Sequence, residues 1–172
     1  RGRAETDHLD LWQLHDLRTT RDLAAIFAKG GALEALLQAR GEGRVRFLGI
    51  TGHQDPAILL EAMRRFDFDT VLVALNAADV HRLSFIQTVL PEAARRGMGV
   101  IGMKVYGAGR LVSGASGVSA NQAMGYVLSL PAVSTVVIGC KTPAEVDENA
   151  RIAQEFVALD ENTLRELESR TR

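Results

Sequence analysis

Short apolar runs alternate with amphipathic stretches along the whole chain. Five of the runs are brief, rich in β-branched residues and bounded by turn residues, a pattern typical of buried strands. The predicted strands cover residues 8–14, 45–51, 70–75, 100–103 and 133–138. Helical spacing between and after them predicts helices at 33–40, 55–66, 83–96, 119–130, 142–156 and 160–170.

Helix-start signals support several of these boundaries. Asp55 precedes Pro56, and an aspartate before a proline at the first helical position is a favoured N-cap. Ser119 and Thr142 each stand three residues before a glutamine or a glutamate, which predicts two capping boxes.

This succession of βα units predicts an α/β fold whose parallel strands are covered by helices. An open doubly wound sheet and a closed barrel both satisfy the pattern. Two longer segments, 16–32 and 104–118, follow strands and are predicted as loops. Long βα loops on one face are typical of the active sites of (β/α)₈ barrels.

Composition narrows the functional classes. The 172 residues are 47% hydrophobic, which suffices for one domain over 1–172. Lys and Arg number 20 against 21 Asp and Glu, so we expect no nucleic-acid partner. The longest uncharged stretch contains many Gly and Ser residues, so we also expect no membrane span. The single cysteine, Cys140, and the lack of a signal-peptide pattern indicate a cytoplasmic protein without internal disulfides. Because Arg1 stands where an initiator Met is absent, we expect these residues to begin inside a longer polypeptide.

The first predicted strand leads directly to His15, which Asp16 follows. Functional side chains of parallel α/β folds collect at the carboxyl ends of strands, so His15 is a candidate active-site residue. Spacing alone also allows a purely structural histidine there. His53 and His81 follow the second and third strands and could approach the same edge, or lie in solvated loops.

Four segments carry a family resemblance, and their order and spacing are similar to those of the aldo/keto reductases from the fourth barrel strand onward. The segments are 9–15 (LDLWQLH), 43–51 (GRVRFLGIT), 96–104 (RGMGVIGMK) and 136–149 (VVIGCKTPAEVDEN). The resemblance implies a partial (β/α)₈ TIM barrel with about five βα units and a C-terminal helix. It also implies hydride transfer between a nicotinamide cofactor and an aldehyde or ketone carbonyl.

The family's catalytic set consists of a Tyr acid, a Lys that lowers its pKa, an Asp that positions the Lys, and a His that orients the carbonyl. Only the His has a counterpart, His15, while the other three belong to the family's first three βα units. Tyr106, Tyr126 and Lys104 fall in later motifs and do not replace them. A complete barrel takes roughly 250 residues, so we interpret the chain as a carboxyl-terminal portion that is inactive, or nearly so, alone.

The resemblance also implies a set of cofactor-binding residues: Thr51, Asn76, Met103, Lys104, Gly139, Lys141, Glu148 and Asn149. Thr51 replaces a serine that contacts the nicotinamide amide, and Asn76 either adds a polar contact or shapes its loop. Lys141 would bind the 2′-phosphate, which favours NADP(H) over NAD(H). Glu145 stands where the family has an arginine, and its carboxylate opposes that preference.

Two other functions remain open at this point. A metal-dependent (β/α)₈ hydrolase could use His15 and His53 with Asp79 or His81 as ligands. A non-catalytic module could bind a nicotinamide nucleotide without turnover. The expected partners are the nucleotide, a small carbonyl or alcohol substrate, and either the missing amino-terminal half or another protomer.

Overall fold

Five parallel strands form one sheet in the order in which they follow along the chain. The computed structural model describes residues 6–113 and 116–172. The strands are Leu9–Leu14 (β1), Val45–Gly52 (β2), Thr70–Ala74 (β3), Gly99–Met103 (β4) and Val133–Val136 (β5). All five predicted strands are therefore confirmed, with ends that shift by one or two residues.

Helices follow the strands and cover the sheet. They are Thr20–Phe27 (α1), Ala32–Gly41 (α2), Pro56–Arg65 (α3), Phe85–Arg95 (α4), Arg110–Ser113 (α5), Ala120–Ser129 (α6), Pro143–Gln154 (α7) and Glu161–Arg170 (α8). The arrangement is a partial α/β barrel, as the family resemblance implies, and not the open doubly wound sheet that the pattern alone also allowed. Across the described ranges, none of these helices is long and apolar enough to span a membrane.

Two helices lie in segments predicted as loops. A capping box explains α1: the Thr19 hydroxyl accepts the backbone N–H of Asp22, and the Asp22 carboxylate accepts the N–H of Thr19. Asp22 stands where the usual glutamate or glutamine would mark such a box. The short helix α5 interrupts the second predicted loop, 104–118.

The central strands and the helices that cover them share one buried core. Ile50 of β2, Val73 of β3 and Val100 of β4 are fully buried, and the buried apolar side chains of sheet and helices form one continuous cluster. Gly102 of β4 allows a close approach of α6, because a Cβ there would lie 2.9 Å from Val127 Cγ1. The sheet and α6 are thus packed without room for another methyl group.

The two outer strands are less covered. Within the described residues, β1 pairs only with β2, and β5 pairs only with β4. On β1, Leu9 and Trp12 remain 42% and 43% exposed. Each outer strand therefore presents unpaired backbone groups along one side.

Candidate functional site

A cleft of about 670 Å³ opens where the strands end. Its walls come from residues directly after β1, β2 and β5 and from the last residue of β4 onward, so the parallel strands deliver their carboxyl ends to one place. Seven of the nine residues predicted as site residues line it: His15, Met103, Lys104, Gly139, Lys141, Glu148 and Asn149. Thr51 and Asn76 do not.

Thr51 instead forms a hydrogen bond with the His15 ring. The β1–β2 register pairs Leu14 with Ile50, which sets the next residues, His15 and Thr51, side by side. The Thr51 side chain is buried, and its Oγ1 lies 2.7 Å from Nδ1 of His15. Because this bond occupies Nδ1, Nε2 is the ring nitrogen left for the cleft. Thr51 therefore positions His15, and its contact with the nicotinamide amide stays a prediction.

Asn76 shapes the loop after β3. Its Oδ1 accepts the backbone N–H of Ala78 at 3.0 Å, and its Nδ2 donates to the carbonyl of Lys104 at 3.3 Å. Lys104 adopts a left-handed conformation with φ of +56°, so this bond supports a backbone turn that non-glycine residues rarely adopt. Of the two alternatives for Asn76, the contacts favour the loop.

His53 lines the cleft together with His15, and Asp16 lies beside both histidines. The His15 and His53 rings meet edge to face, with centroids 5.7 Å apart. Asp16 accepts a hydrogen bond from Nε of Arg18 through Oδ2, at 2.6 Å, while its buried Oδ1 has no partner among the described residues. Burial lowers the pKa of His53, and the Asp16 carboxylate opposes that shift.

The ligand set predicted for a metal-dependent hydrolase does not assemble. The Asp79 carboxylate accepts hydrogen bonds from the Ser84 hydroxyl and from backbone N–H groups at the start of α4. The His81 ring lies 2.9 Å from the carbonyl of Glu168 in α8. Both side chains therefore serve the fold, and the alternative ligand set that included Asp79 or His81 is not brought together.

Tyr106 lines the cleft but is poorly suited to give up a proton. Its hydroxyl donates to Oδ1 of Asn149, and Asn149 in turn donates to the Cys140 sulfur at 3.2 Å. Burial, with a smaller effect of the nearby Glu148 carboxylate, raises the pKa of Tyr106 to about 12. The sequence did not indicate that Tyr106 lines the cleft, because it stands in a loop with no recognisable spacing signal.

The turn before α7 differs from the predicted capping box. Thr142 accepts the N–H of Glu145 at 3.3 Å, as expected. The Glu145 carboxylate, however, accepts the N–H of Lys141 at 2.6 Å instead of reaching Thr142. Gly139 leaves open space beside the backbone, since nothing lies within 4 Å of a Cβ built there. An N–H that could bind an anion is thus already bonded to the chain's own carboxylate.

Comparisons with known proteins agree on one family. The Aldo/keto reductase family matches residues 1–117. The fold is similar to the holo form of an aldo-keto reductase from Bacillus halodurans (TM-score 0.77, 19% identity), covering 98% of this chain and 60% of that one. It is also similar to a thermostable aldo-keto reductase in complex with the inhibitor epalrestat (TM-score 0.73, 18% identity). That match covers 96% of this chain and 61% of the other.

A third similar structure is an aldo-keto reductase from a Medee basin deep-sea metagenome library, with a TM-score of 0.71 and 14% identity. That match covers 96% of this chain and 60% of the other. The chain thus spans about three fifths of the solved proteins that it resembles. No curated protein sequence matches it.

Proposed function

Because the chain belongs to the aldo/keto reductase family, we propose that it forms the nucleotide cleft and carries the carbonyl-orienting histidine of an NAD(P)H-dependent reductase of aldehydes or ketones. The observation that carries the proposal is the cleft itself. It gathers His15 with six of the eight residues that the family resemblance assigns to the cofactor.

The residues of the cleft fit a nicotinamide nucleotide. Its volume of about 670 Å³ is in the range of small-molecule sites. Lys104 and Lys141 supply positive charge for phosphates, and the open backbone at Gly139 permits close approach. Met103, buried at the end of β4, offers a polarizable thioether to the face of a flat ring. When bound, the nicotinamide ring supplies or accepts the hydride.

The preference for NADP(H) is the finer part of the proposal. The exposed ammonium of Lys141 is available to the 2′-phosphate that distinguishes NADP(H) from NAD(H). Glu145 acts against this contact, because its carboxylate lies in the same turn. The net preference depends on which of the two charges lies nearer the phosphate.

His15 orients the carbonyl. With the Thr51 hydroxyl donating to Nδ1, the neutral imidazole carries its proton on Nε2 and can donate it as a hydrogen bond to the substrate oxygen. Charge develops on that oxygen as hydride reaches the carbon, so a donor fixed in place lowers the barrier. The buried Thr51 keeps the ring from turning away.

The reduction also needs a proton for the carbonyl oxygen, and neither tyrosine of the chain is suited to give it. Tyr106 is bonded to Asn149 with a raised pKa, and the buried Tyr126 donates to Glu168 at 2.7 Å. We therefore expect the chain alone to bind the nucleotide without completing the reaction. The acid would come from the amino-terminal barrel units or from another protomer.

The proposed setting is the cytoplasm, because the exposed thiol of Cys140 fits a reducing compartment.

Nucleotide binding tests the proposal directly. Titration of the chain into NADPH should change the nicotinamide fluorescence saturably, and Lys141→Ala should weaken the binding. His15→Gln should leave the binding within about twofold, because the histidine faces the carbonyl and not the phosphates. Absence of any saturable change would contradict the proposal.

Turnover separates the reductase from its alternative, a module that only binds the nucleotide. Both predict no carbonyl reduction by the chain alone. Only the reductase predicts that separately produced amino-terminal βα units of a relative restore NADPH oxidation, and that His15→Gln abolishes the restored activity. Turnover by the chain alone, lost in His15→Gln, would refute the expected inactivity.

A further inference from the structure

Three neighbouring side chains, two of which line the cleft, can offer ligand atoms to one ion. The ligand atoms of His15, Asp16 and His53 all lie within 4.8 Å of one another. Two come from the β1 end and one from the β2 end, so the parallel pairing of neighbouring strands brings them together. The carbonyl chemistry proposed above uses His15 and leaves Asp16 and His53 without a function.

Asp16 gives independent reason to look for a ligand here. Its side chain is only 4% exposed, and Oδ1 is buried without a hydrogen-bond partner among the described residues. A buried carboxylate oxygen without a partner is costly and calls for a compensating group. Arg18 compensates only the other oxygen, through its bond to Oδ2.

We propose that His15, Asp16 and His53 form a site for a divalent transition-metal ion of the zinc type. Two imidazoles and one carboxylate are a recurrent three-ligand zinc set, which leaves a fourth position open. Here that position faces the cleft, because both histidines line it. Nitrogen ligands favour zinc, cobalt or nickel over magnesium, which prefers oxygen.

The geometry needs only a modest contraction. Metal–ligand bonds of about 2.0–2.1 Å place tetrahedral ligands about 3.4 Å apart, so the side chains must draw together by up to about 1.4 Å. All three lie at strand ends or in the following loops, where such movement is easiest. The nearby cations Arg18 and Lys104 oppose the ion, so we expect moderate affinity.

Thr51 completes the arrangement as an outer-shell residue. When Nε2 of His15 binds a metal, Nδ1 carries the proton and donates it to Oγ1 of Thr51, a contact already present at 2.7 Å. Carbonyl orientation requires the opposite tautomer, with the proton on Nε2. The metal and a carbonyl oriented by His15 therefore exclude each other.

Calorimetric titration of the chelator-stripped chain with Zn²⁺ tests the site. We expect one ion per chain, with at least about tenfold weaker binding in Asp16→Asn and in His53→Gln, and a similar loss in Thr51→Val. Cobalt should give the visible absorption of a tetrahedral site in the parent chain and not in these variants. Magnesium should give no saturable signal.

Matched controls exclude surface binding. Asp7 and His8 form another adjacent Asp–His pair at the opposite end of β1, bonded at 2.8 Å and exposed. His8→Gln and Cys140→Ser should leave zinc binding unchanged. Absence of stoichiometric zinc binding, or its loss in either control while His53→Gln still binds, would overturn the proposal.

Folding and nucleotide binding are read separately. Circular dichroism identifies a variant that fails to fold, and the partly exposed His53 is the safer position for substitution if Asp16→Asn does fail. Lys141→Ala should weaken NADPH binding and leave zinc binding intact. Failure of the metal site therefore remains distinguishable from failure of the proposed reductase function.

Discussion

Replacing Glu145 with glutamine should shift the cleft toward nucleotides that carry a 2′-phosphate. In the native chain the Glu145 carboxylate accepts the N–H of Lys141 at 2.6 Å, at the start of α7. Glutamine keeps an oxygen that can accept the same hydrogen bond and removes only the negative charge. The substitution therefore isolates electrostatic repulsion from the shape of the turn.

The size of the effect follows from charge and exposure. Two unit charges 4 Å apart interact by about 1 kcal/mol in bulk water and by about 4 kcal/mol at an effective dielectric constant of 20. Glu145 lies half-buried in an open cleft, so the lower value applies. A phosphate carries about 1.5 to 2 negative charges, which gives about 1.5–2 kcal/mol, or roughly ten- to thirtyfold in affinity.

Isothermal titration with 2′,5′-ADP and with 5′-AMP measures this effect without any reaction. Glu145→Gln should raise the affinity for 2′,5′-ADP by roughly tenfold or more. It should change the affinity for 5′-AMP by less than about twofold, because only the first ligand carries the 2′-phosphate. The gain should shrink at high ionic strength, since salt screens exposed charges.

Glu148→Gln is the matched control, because Glu148 also lines the cleft but accepts no bond from the turn before α7. It should raise the affinity for 2′,5′-ADP by less than Glu145→Gln does. An equal gain in both variants would show that overall charge, and not Glu145, governs selectivity. Equal tightening of both ligands by Glu145→Gln would refute the reasoning.

Three further predictions concern stability. Tyr126 is fully buried and donates to a carboxylate of α8, so Tyr126→Phe should lower the free energy of unfolding by about 1–2 kcal/mol in urea titration, and an unchanged midpoint would contradict this. Burial raises the pKa of Tyr126 and of Tyr106, the latter to about 12, above the unfolded value near 10. The stability linked to both is present below pH 10 and lost as the pH rises toward 12, so urea midpoints should fall over that interval, and less so in Tyr126→Phe. Gly102→Ala would press a methyl group against Val127 and should lower the free energy of unfolding by about 1–3 kcal/mol. Gly99→Ala is the control, because the nearest atom to its added Cβ lies at 3.5 Å, and it should melt near the parent temperature. Equal melting temperatures of the two variants would refute this packing argument.

Local signals in the sequence predicted the elements well. Short apolar runs bounded by turn residues identified every strand, and the Ser119 capping box is present with both of its hydrogen bonds. One helix boundary was predicted wrongly because a single residue changed the local conformation. Leu83 has a φ of +47°, so α4 begins only at Phe85, two residues later than predicted.

Contacts between distant segments were harder to predict. The resemblance indicated which residues belong to the cleft, but not that Thr51 would bind His15, since that bond depends on the register of β1 against β2. The position of Asp16 beside His53 depends on the same pairing. A hydrogen-bonding side chain such as Asn76 or Asp79 also looks the same in sequence whether it faces a ligand or its own loop.

The partly exposed edge of β1 provides a built-in optical reporter. Trp12 is the only tryptophan of the chain, is 43% exposed on that edge, and lies outside the walls of the cleft. An indole moved from water into an apolar contact emits at shorter wavelength. Its emission should therefore shift when a strand of another polypeptide covers β1, and stay constant when a nucleotide enters the cleft. One unlabelled sample can thus distinguish assembly at the strand edge from occupancy of the site.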